Sequence, residues 1–499
     1  MSDLFEKIEE YVYSDEYSFS VPGHKRNYFV NDFFTEFYKH DITYLEEFES
    51  ENAEEGYIHD CLSEVEKVFE SYESFYVNDD LAVLIALSAA VKKGGNVLAM
   101  RNSGRAFYKA AYLRELNVKY LYGECDTEIG VKLGITIEQI EYAINNNPDI
   151  DAVFLTSPTI QGMSSEIDDI AEFLHEKHIP LIVDASYGTH FGFADFLPSG
   201  AVNDGADIVI HGPYKSLPAP TGTGILHVNG EIVDVNKIRF FVNLYTPDFP
   251  SYFLKSCTDH LISCIANGSV PWKKYFEKRE EFSKKLENLQ NIGCFEAFTK
   301  DKFVTPELGK VVIDPKTGRV DGKMLYERLK KEFHLRPLLA APSYVLLNFT
   351  VSDTDEAYER MAEALIKIDD ELSDKVNTAK QFSSKDLGNL ESLFGVKSSI
   401  TETNLPKSMA PANAEIAMSI AEATEMEKES VRLLMAENRI CGCTVDIYPY
   451  TEPILVPGEI INKQALMLIT FYQKHKFEVS GVFMDRIEVL REKKETKND

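Results

Sequence analysis

The sequence carries little positive charge for its length. Its 52 Lys and Arg residues stand against 81 Asp and Glu, which gives a formal net charge of −29 at pH 7. Nucleic acids and anionic membrane surfaces are polyanions, so neither is expected as a partner. A small cationic substrate is compatible with this charge, although a diffuse acidic surface more often serves solubility alone.

Long apolar runs are also missing, and cysteine is scarce. The first ten residues, MSDLFEKIEE, include neither a basic region nor an apolar segment, which favours a cytoplasmic protein without a membrane span. The seven cysteines include no C-x-x-C pair, and Cys441 and Cys443 lie nearest to each other in sequence. We expect reduced, mostly buried thiols. His175 and His178 are three positions apart on a predicted helix, but a third ligand is lacking, so no metal site is expected.

The composition that remains, 44% hydrophobic and 27% charged over 499 residues, is typical of a soluble globular protein with more than one domain. From about residue 94, short apolar runs alternate with amphipathic stretches, which predicts an α/β domain with a mostly parallel sheet. The predicted strands span residues 96–100, 118–122, 152–156, 180–184 and 206–211. The predicted helices span 106–116, 136–146 with a Thr-x-x-Gln capping box, and 165–178 with Ser165 as its cap.

The chain divides into five regions. An N-terminal segment (1–60) precedes the large α/β domain (61–300). A small α+β domain (301–372) follows, with predicted strands at 310–313 and 345–349 and helices at 323–332 and 355–369. Residues 373–405 are polar and rich in Ser, Lys and Asn, which indicates a linker. A last domain (406–499) ends in the charged run REKKETKND.

Two residues stand at the ends of predicted strands. Asp184 closes one strand, and Lys215 follows shortly after His211, which closes another. Ligands of open α/β sheets bind beyond the carboxyl ends of the strands, so both side chains lie where a cofactor would bind. Without further context, a strand-end Asp and a Lys are more often a turn residue and a solvated charge.

Five separated motifs supply that context: VPGHKR at 21–26, SPTIQG at 157–162, VDASYGTH at 183–190, YKSLPAPTGTG at 214–224 and YPYTEPILVPGE at 448–459. In this order they resemble the Orn/Lys/Arg decarboxylase family, in its shorter form without an N-terminal response-regulator-like domain. The resemblance implies an aspartate-aminotransferase-like fold that binds pyridoxal 5'-phosphate (PLP), with a large domain, a small domain and a C-terminal domain special to this family. It also implies a homodimer or higher oligomer with active sites between subunits.

The resemblance assigns roles around the two strand ends. Lys215 would form a Schiff base with the PLP aldehyde, and Asp184 would face the pyridine nitrogen and favour its protonated form. Tyr214 would be a proton donor beside Lys215. Other neighbours of the cofactor would be Ala185, Ser186, Tyr187 and Ser216. Glu459, in the VPGE run, is the candidate for the substrate end of the site.

The phosphate-binding loop departs from the family pattern. Where the family reads approximately Asn-Gly-Ser/Thr-x-x-Gly at a helix N-terminus, this chain reads NDDLAV at 78–83. Glycine permits close backbone approach and hydroxyls donate hydrogen bonds, whereas the carboxylates of Asp79 and Asp80 repel a phosphate. Like charges in contact at about 4 Å cost on the order of 4 kcal/mol at an intermediate dielectric. The altered loop weakens the case for PLP binding.

Further departures cluster around the same position. Gly212 and Pro213 replace the Ser and Thr that precede the family's His-Lys pair, and Tyr214 replaces its histidine. Gly104 stands where the family has a histidine that stacks on the cofactor ring, and Tyr187 takes the place of a second histidine. Residues that would rebuild part of a phosphate site are Arg105, Ser216, Thr221 and Thr223, the last three either within one subunit or in the site of its partner.

Two hypotheses follow from these residues. The first is a cytoplasmic PLP-dependent decarboxylase of arginine, lysine or ornithine that produces an amine of the polyamine pathway, and the retained Lys215 and Asp184 favour it. The second is a degenerate paralogue that keeps the fold and serves as a structural or regulatory partner of an active decarboxylase, for example within a hetero-oligomer. The altered loop at Asp79 and Asp80 favours this alternative.

Overall fold

A computed structural model describes residues 4–15, 22, 24–26, 32–43, 57–126, 130–295, 309–315, 321–374, 412–447 and 452–492. Of the predicted linker 373–405, all but the first two residues lie outside the described ranges. The motif at 448–459 is described from Glu452 onward, and the closing charged run is described only as far as residue 492.

One large sheet is built from β1 (Glu73–Val77), β2 (Asn96–Met100), β3 (Asn117–Leu121), β4 (Ala152–Thr156), β5 (Leu181–Asp184), β6 (Ile208–His211) and β7 (Gly224–Val228). Within the described residues its strand order is β1-β7-β6-β5-β4-β2-β3. Strands β6, β5, β4, β2 and β3 run parallel, while β7 pairs antiparallel with β6 and β1. The predicted mostly parallel α/β fold is confirmed.

Both faces of this large sheet are buried. In β4, Ala152 and Phe154 pack into one core, whereas Val153 and Leu155 pack into the other. A strand that is buried on both faces needs apolar side chains at successive positions. This requirement explains why the strands of this sheet read as short, continuous apolar runs in the sequence.

The helices that precede or cover the large sheet are α1 (Leu4–Val12), α2 (Asp32–His40), α3 (Tyr57–Phe69), α4 (Asp79–Ala90), α5 (Arg105–Leu113), α6 (Ile137–Asn146), α7 (Ile167–His175), α8 (Val235–Tyr245) and α9 (Tyr252–Ala266). Helix α6 begins at the predicted capping box, in which the side chains of Thr136 and Gln139 each bind the other residue's backbone. No helix in the described ranges is both long and apolar enough to cross a membrane.

Helix α7 differs from its prediction at both ends. Glu166 is its N-cap, because the Ser165 hydroxyl instead accepts a hydrogen bond from the backbone N–H of Ile135 at 2.9 Å. The helix ends at His175, and His178 lies beyond it with a left-handed φ of 55°. The two histidines therefore do not share a helix face.

A smaller antiparallel sheet follows the large one. Its strands are β8 (Ile292–Phe295), β9 (Lys310–Pro315), β10 (Leu339–Ala340) and β11 (Val345–Asn348), in the order β10-β11-β9-β8 within the described residues. Helices α10 (Trp272–Leu286), α11 (Gly322–Glu332) and α12 (Asp355–Asp374) contribute apolar side chains to its core. The strands and helices predicted here are present, but β9 and α12 extend two and five residues beyond their predicted ends and β11 ends one residue earlier.

The C-terminal part contains helices α13 (Ile420–Glu425) and α14 (Lys463–Lys474) and strands β12 (Lys428–Arg432), β13 (Val445–Ile447), β14 (Pro453–Leu455), β15 (Val479–Ser480), β16 (Val482–Phe483) and β17 (Arg486–Leu490). Among the described residues these strands form two small sheets, β12-β17-β16 and β14-β13-β15. Residues of β14 and α14 share one core, which holds this part of the chain together.

Candidate active site

Lys215 lies on a short turn that follows β6. The turn comprises Pro213–Lys215, and its closing hydrogen bond runs from the Lys215 N–H to the Gly212 carbonyl at 2.9 Å. The Lys215 ammonium is 2.8 Å from Oδ2 of Asp79, the first residue of α4. The side chain of Asp79 is only 5% exposed and that of Lys215 is 20% exposed. The candidate cofactor lysine is thus held in a largely buried ion pair.

Tyr214 binds the same carboxylate. Its hydroxyl donates a hydrogen bond of 3.0 Å to Oδ2 of Asp79, the oxygen that contacts Lys215. Burial, reinforced by the Asp79 charge and opposed by Lys215, raises the pKa of Tyr214 to about 12. The phenol therefore stays protonated at neutral pH and remains a hydrogen-bond donor to Asp79.

Asp184 provides a second negative charge. Its Oδ1 accepts hydrogen bonds from the Ser186 N–H at 3.1 Å and from the Ser186 hydroxyl at 2.5 Å, which fixes the carboxylate at the end of β5. Burial alone would lower the pKa of Lys215, but the charges of Asp184 and Asp79 outweigh it and raise that pKa above its usual value. Lys215 is accordingly a protonated cation that contacts Asp79 and is stabilised electrostatically by Asp184.

The smaller sheet contributes two residues, Lys310 and Asn348, that were not predicted from the sequence. The Tyr187 ring lies between two ammonium groups, with its centroid 5.1 Å from Lys215 Nζ and 4.2 Å from Lys310 Nζ. Lys310 also binds the side-chain oxygen of Asn348. The side-chain amide of Asn348 in turn donates a hydrogen bond of 3.1 Å to the Lys215 carbonyl. Lys310 is only 4% exposed. The signal in the sequence that could have identified Lys310 is its charge, at the start of an otherwise apolar strand.

The residues proposed for rebuilding a phosphate site lie in separate places. Thr221 and Thr223 line a cleft of about 520 Å³ beside Asn78, the N-cap of α4. Arg105 binds Asp446, with 3.0 Å from its Nε to Oδ2. The Ser216 hydroxyl is buried and has no hydrogen-bond partner among the described residues.

The remaining predicted site residues are placed as follows. Ala185 is buried in a core of the large sheet. Glu459 is 1% exposed and forms two short contacts with the Arg101 guanidinium, at 2.6 and 3.0 Å, while its Oε2 also accepts from the Val456 N–H at 2.9 Å. Both carboxylate oxygens are thereby engaged in an ion pair, whereas the family resemblance predicts Glu459 at the substrate end of the site.

Within the described residues, His175 contacts an acidic side chain and the cysteines are free thiols. His175 Nε2 lies 3.1 Å from Asp207 Oδ2. Over the part of the chain that the structure describes, no cluster of three or more His, Cys, Asp or Glu side chains is arranged to hold a metal ion. The described cysteines are free thiols, of which Cys61 and Cys441 are fully buried and the other five are half-buried.

The large mostly parallel sheet with a small antiparallel sheet is the fold of aspartate-aminotransferase-like, PLP-dependent enzymes. An alanine–glyoxylate aminotransferase from Nostoc shares it over 62% of this chain and 85% of its own, with a TM-score of 0.51 and 15% identity. The lysine decarboxylase LdcF of Francisella novicida matches over 98% of this chain and 81% of its own, with a TM-score of 0.81 and 16% identity.

The family model for the Orn/Lys/Arg decarboxylase major domain matches residues 2–357, and the chain belongs to this family. The arginine decarboxylase of Bacillus subtilis is 23% identical over 504 residues, covering 99% of this chain and 98% of the relative. The arginine decarboxylase of Bacillus anthracis is 22% identical over 99% of this chain and 97% of its own length. These findings support decarboxylation of basic amino acids as the family's activity and leave the substrate open.

Members of this family are PLP-dependent, and the site fits that cofactor only in part. Lys215 and Asp184 are the groups that the aldehyde and the pyridine nitrogen need. The phosphate end does not fit, because the first turn of α4 carries Asp79 and Asp80. Asp79 is buried against Lys215, so a phosphate dianion brought to this helix would meet a fixed carboxylate. The residues present therefore do not fit PLP as a whole.

Proposed function

We propose that this chain is a catalytically degenerate member of the Orn/Lys/Arg decarboxylase family that acts as a structural or regulatory partner of an active decarboxylase in the cytoplasm. The contact between Lys215 and Asp79 is the observation that carries this proposal. It commits the lysine on which the family's chemistry depends to a carboxylate at the phosphate end of the site.

The energetic argument rests on burial. If Lys215 gave up its charge to join a cofactor, Asp79 would remain as a buried carboxylate without a cation, with Tyr214 as a neutral donor. Breaking one side of an ion pair that is partly exposed, as this one is at Lys215, costs about 2–4 kcal/mol. A phosphate about 4 Å from the same carboxylate adds on the order of 4 kcal/mol of repulsion. Every 1.4 kcal/mol of this cost lowers the affinity for PLP about tenfold.

The preserved fold supports a partner role. The chain aligns with active-family structures over nearly its full length, and its helix α8 presents Phe240 and Leu244, one turn apart, at 59% and 57% exposure. Asn243 of the same helix lines the cleft beside the N-cap of α4. Exposed apolar side chains of this size are the kind that a subunit contact covers. We assign this face to a subunit of the same family.

Two assays test the proposal. The homogeneous chain should release no CO₂ from arginine, lysine or ornithine in the presence of added PLP. When it is co-expressed with an active family member, the two chains should co-purify. Activity of the chain by itself, lost in Lys215→Ala, would overturn the proposal.

A matched pair of variants examines the contact surface. The double variant Phe240→Glu/Leu244→Glu should abolish co-purification, whereas Leu113→Glu, at a 54% exposed position on α5, should leave it intact. Equal effects of both variants would show that α8 is not the contact surface.

A second candidate function is PLP-dependent decarboxylation of arginine, lysine or ornithine to agmatine, cadaverine or putrescine. The specific observation that favours it is the retention of both Lys215 and Asp184, with Asp184 contributing to the raised pKa of Lys215. Lys215 and Tyr214 would then be the catalytic residues, Ala185, Tyr187 and Ser216 would adjoin the cofactor, and Glu459 would face the substrate. The CO₂ assay separates this candidate from the first.

A further inference from the structure

We infer that Asp79 is an internal substitute for the cofactor phosphate, and that this one carboxylate closes the site against PLP. The inference rests on the proposed function and adds the residue responsible. It also accounts for the retained Lys215 in a chain without the family's chemistry, because Lys215 is the cation that contacts Asp79.

The position of Asp79 carries the first step. Asp79 is the first residue of α4, and the N-terminus of a helix stabilises a negative charge. Asn78 caps this helix by accepting hydrogen bonds from the N–H groups of Asp80 and Leu81, at 3.1 and 3.3 Å. The helix end thus has a side-chain cap and an anion from its own chain, the two things that a bound phosphate would supply.

Two glycines next to Asp79 leave the space that its carboxylate and backbone occupy. A Cβ placed on Gly212 would lie 3.3 Å from Asp79 Oδ2 and 3.2 Å from the Cβ and the carbonyl oxygen of Ser186, which is tighter than ordinary packing. Gly212 therefore leaves room for the carboxylate where the family carries a serine. A Cβ on Gly224 would lie 2.6 Å from the Asp79 backbone nitrogen, so β7 also needs glycine beside this residue.

Tyr214 completes the set. Its hydroxyl and the Lys215 ammonium both bind Oδ2 of Asp79, at 3.0 and 2.8 Å. One oxygen thereby receives one charged and one neutral donor. The replacements at 79, 212 and 214 are mutually dependent: the carboxylate needs the space that Gly212 leaves and the donor that Tyr214 provides.

Asp80 is a natural control. It follows Asp79 in the sequence, yet its side chain is 58% exposed and pairs with Lys109 at 3.0 Å, outside the contacts of Lys215. A charge on the surface is screened by solvent and salt. If the inference holds, Asp79 and not Asp80 decides whether PLP enters.

The test restores the family loop and measures cofactor binding directly. The full-length chain, Asp79→Asn, Asp80→Thr and the double variant Asp79→Gly/Asp80→Thr are titrated with PLP by visible absorbance. They are then treated with borohydride, and the peptide containing Lys215 is analysed by mass spectrometry. The amine condenses with the aldehyde with loss of water, and hydride from borohydride makes the bond permanent. Melting temperatures with and without PLP give a readout that does not depend on activity.

Both variants that lack the Asp79 carboxylate should bind PLP at least ~100-fold more tightly than the unaltered chain, since the repulsion removed is equivalent to roughly a thousandfold. PLP should be fixed on Lys215 and should raise the melting temperature in these variants alone. Asp80→Thr should bind PLP as weakly as the unaltered chain. The isosteric Asp79→Asn preserves the packing, which keeps the test valid if the double variant does not fold.

Two results would overturn the inference. One is an unaltered chain that fixes PLP on Lys215 as tightly as the variants do. The other is a folded Asp79→Asn that gains no affinity. In the second case the proposed function is judged separately, by the CO₂ and co-purification assays on the unaltered chain.

Discussion

Two buried ion pairs of this chain, Arg101–Glu459 and Lys215–Asp79, differ in how completely their groups are satisfied. Arg101 meets Glu459 through two contacts, donates to the carbonyls of Pro453 and Ile454, and lies 4.5 Å from the centroid of the Tyr120 ring. Lys215 touches Asp79 through one contact and keeps a 20% exposed side chain. The first is a structural clamp from the end of β2 to the C-terminal part, and the second is, under the proposed function, a site closed by a charge.

The largest effect is expected when the clamp, the Arg101–Glu459 ion pair, is broken. Arg101→Ala leaves Glu459 as a buried carboxylate without its guanidinium, which should reduce the free energy of unfolding by about 3–5 kcal/mol. Denaturant unfolding followed by circular dichroism measures the change. Arg101→Lys cannot bind in the bidentate manner and should lose a smaller amount. Unfolding at an unchanged denaturant midpoint in Arg101→Ala would show that the clamp contributes little.

Breaking the second pair should have a smaller effect. Lys215→Met leaves Asp79 and Asp184 without their shared cation, and we expect a loss of about 2–4 kcal/mol, below that of the clamp because Lys215 is partly exposed. Asp79→Asn in the same chain should restore part of the stability. A double-mutant cycle with these variants measures the coupling. Additive effects of the two changes would show that the pair is not energetically coupled.

The stability contributions of the two ion pairs should respond differently to alkaline pH, because lysine loses its proton there and arginine does not. Because Asp184 and Asp79 raise the pKa of Lys215 despite its burial, its contribution is complete below the unfolded-state value of about 10.4. It is lost as the pH rises through the higher folded-state pKa. Arginine does not titrate in this range. The stability of the unaltered chain should therefore fall more steeply above pH 10 than that of Lys215→Met, in urea unfolding at matched pH. Parallel curves would contradict this.

The smallest effect is expected at Tyr214. Tyr214→Phe removes one neutral hydrogen bond to Asp79 and leaves the Lys215 contact in place, so the expected loss is about 1 kcal/mol. A thermal shift of a few degrees measures it. Phe at this position should also leave the chain unable to bind PLP, because the carboxylate remains. A loss as large as that of Lys215→Met would place the main support of Asp79 on the tyrosine.

The sequence was sufficient for much of the fold and for placing Asp184 and Lys215 at the same edge of the sheet. The strands at 96–100 and 152–156 have the predicted bounds, since a strand buried on both faces is a continuous apolar run. The capping box at Thr136 marked the start of α6 because capping is a local interaction. The strand-end positions of Asp184 and Lys215 led to one site because neighbouring parallel strands end at the same edge.

The contacts that decide the chemistry were beyond sequence reasoning because they join distant parts of the chain. Asp79 was recognised as unfavourable to phosphate, but its pairing with Lys215 spans 136 positions and leaves no periodic signal. Lys310 and Asn348 reach the site from the smaller sheet. The partner of Glu459 is Arg101, 358 positions earlier. No local pattern in the sequence shows that the Glu459 carboxylate is engaged in an ion pair, so its position in a family motif predicts a substrate-facing residue.

The most direct measurement is PLP binding by the unaltered chain, with borohydride reduction and mass analysis of the peptide that contains Lys215. We predict that the peptide carries no cofactor at PLP concentrations that saturate Asp79→Asn. Cofactor on Lys215 of the unaltered chain, together with CO₂ release from a basic amino acid, would contradict the conclusion that Asp79 has closed this site.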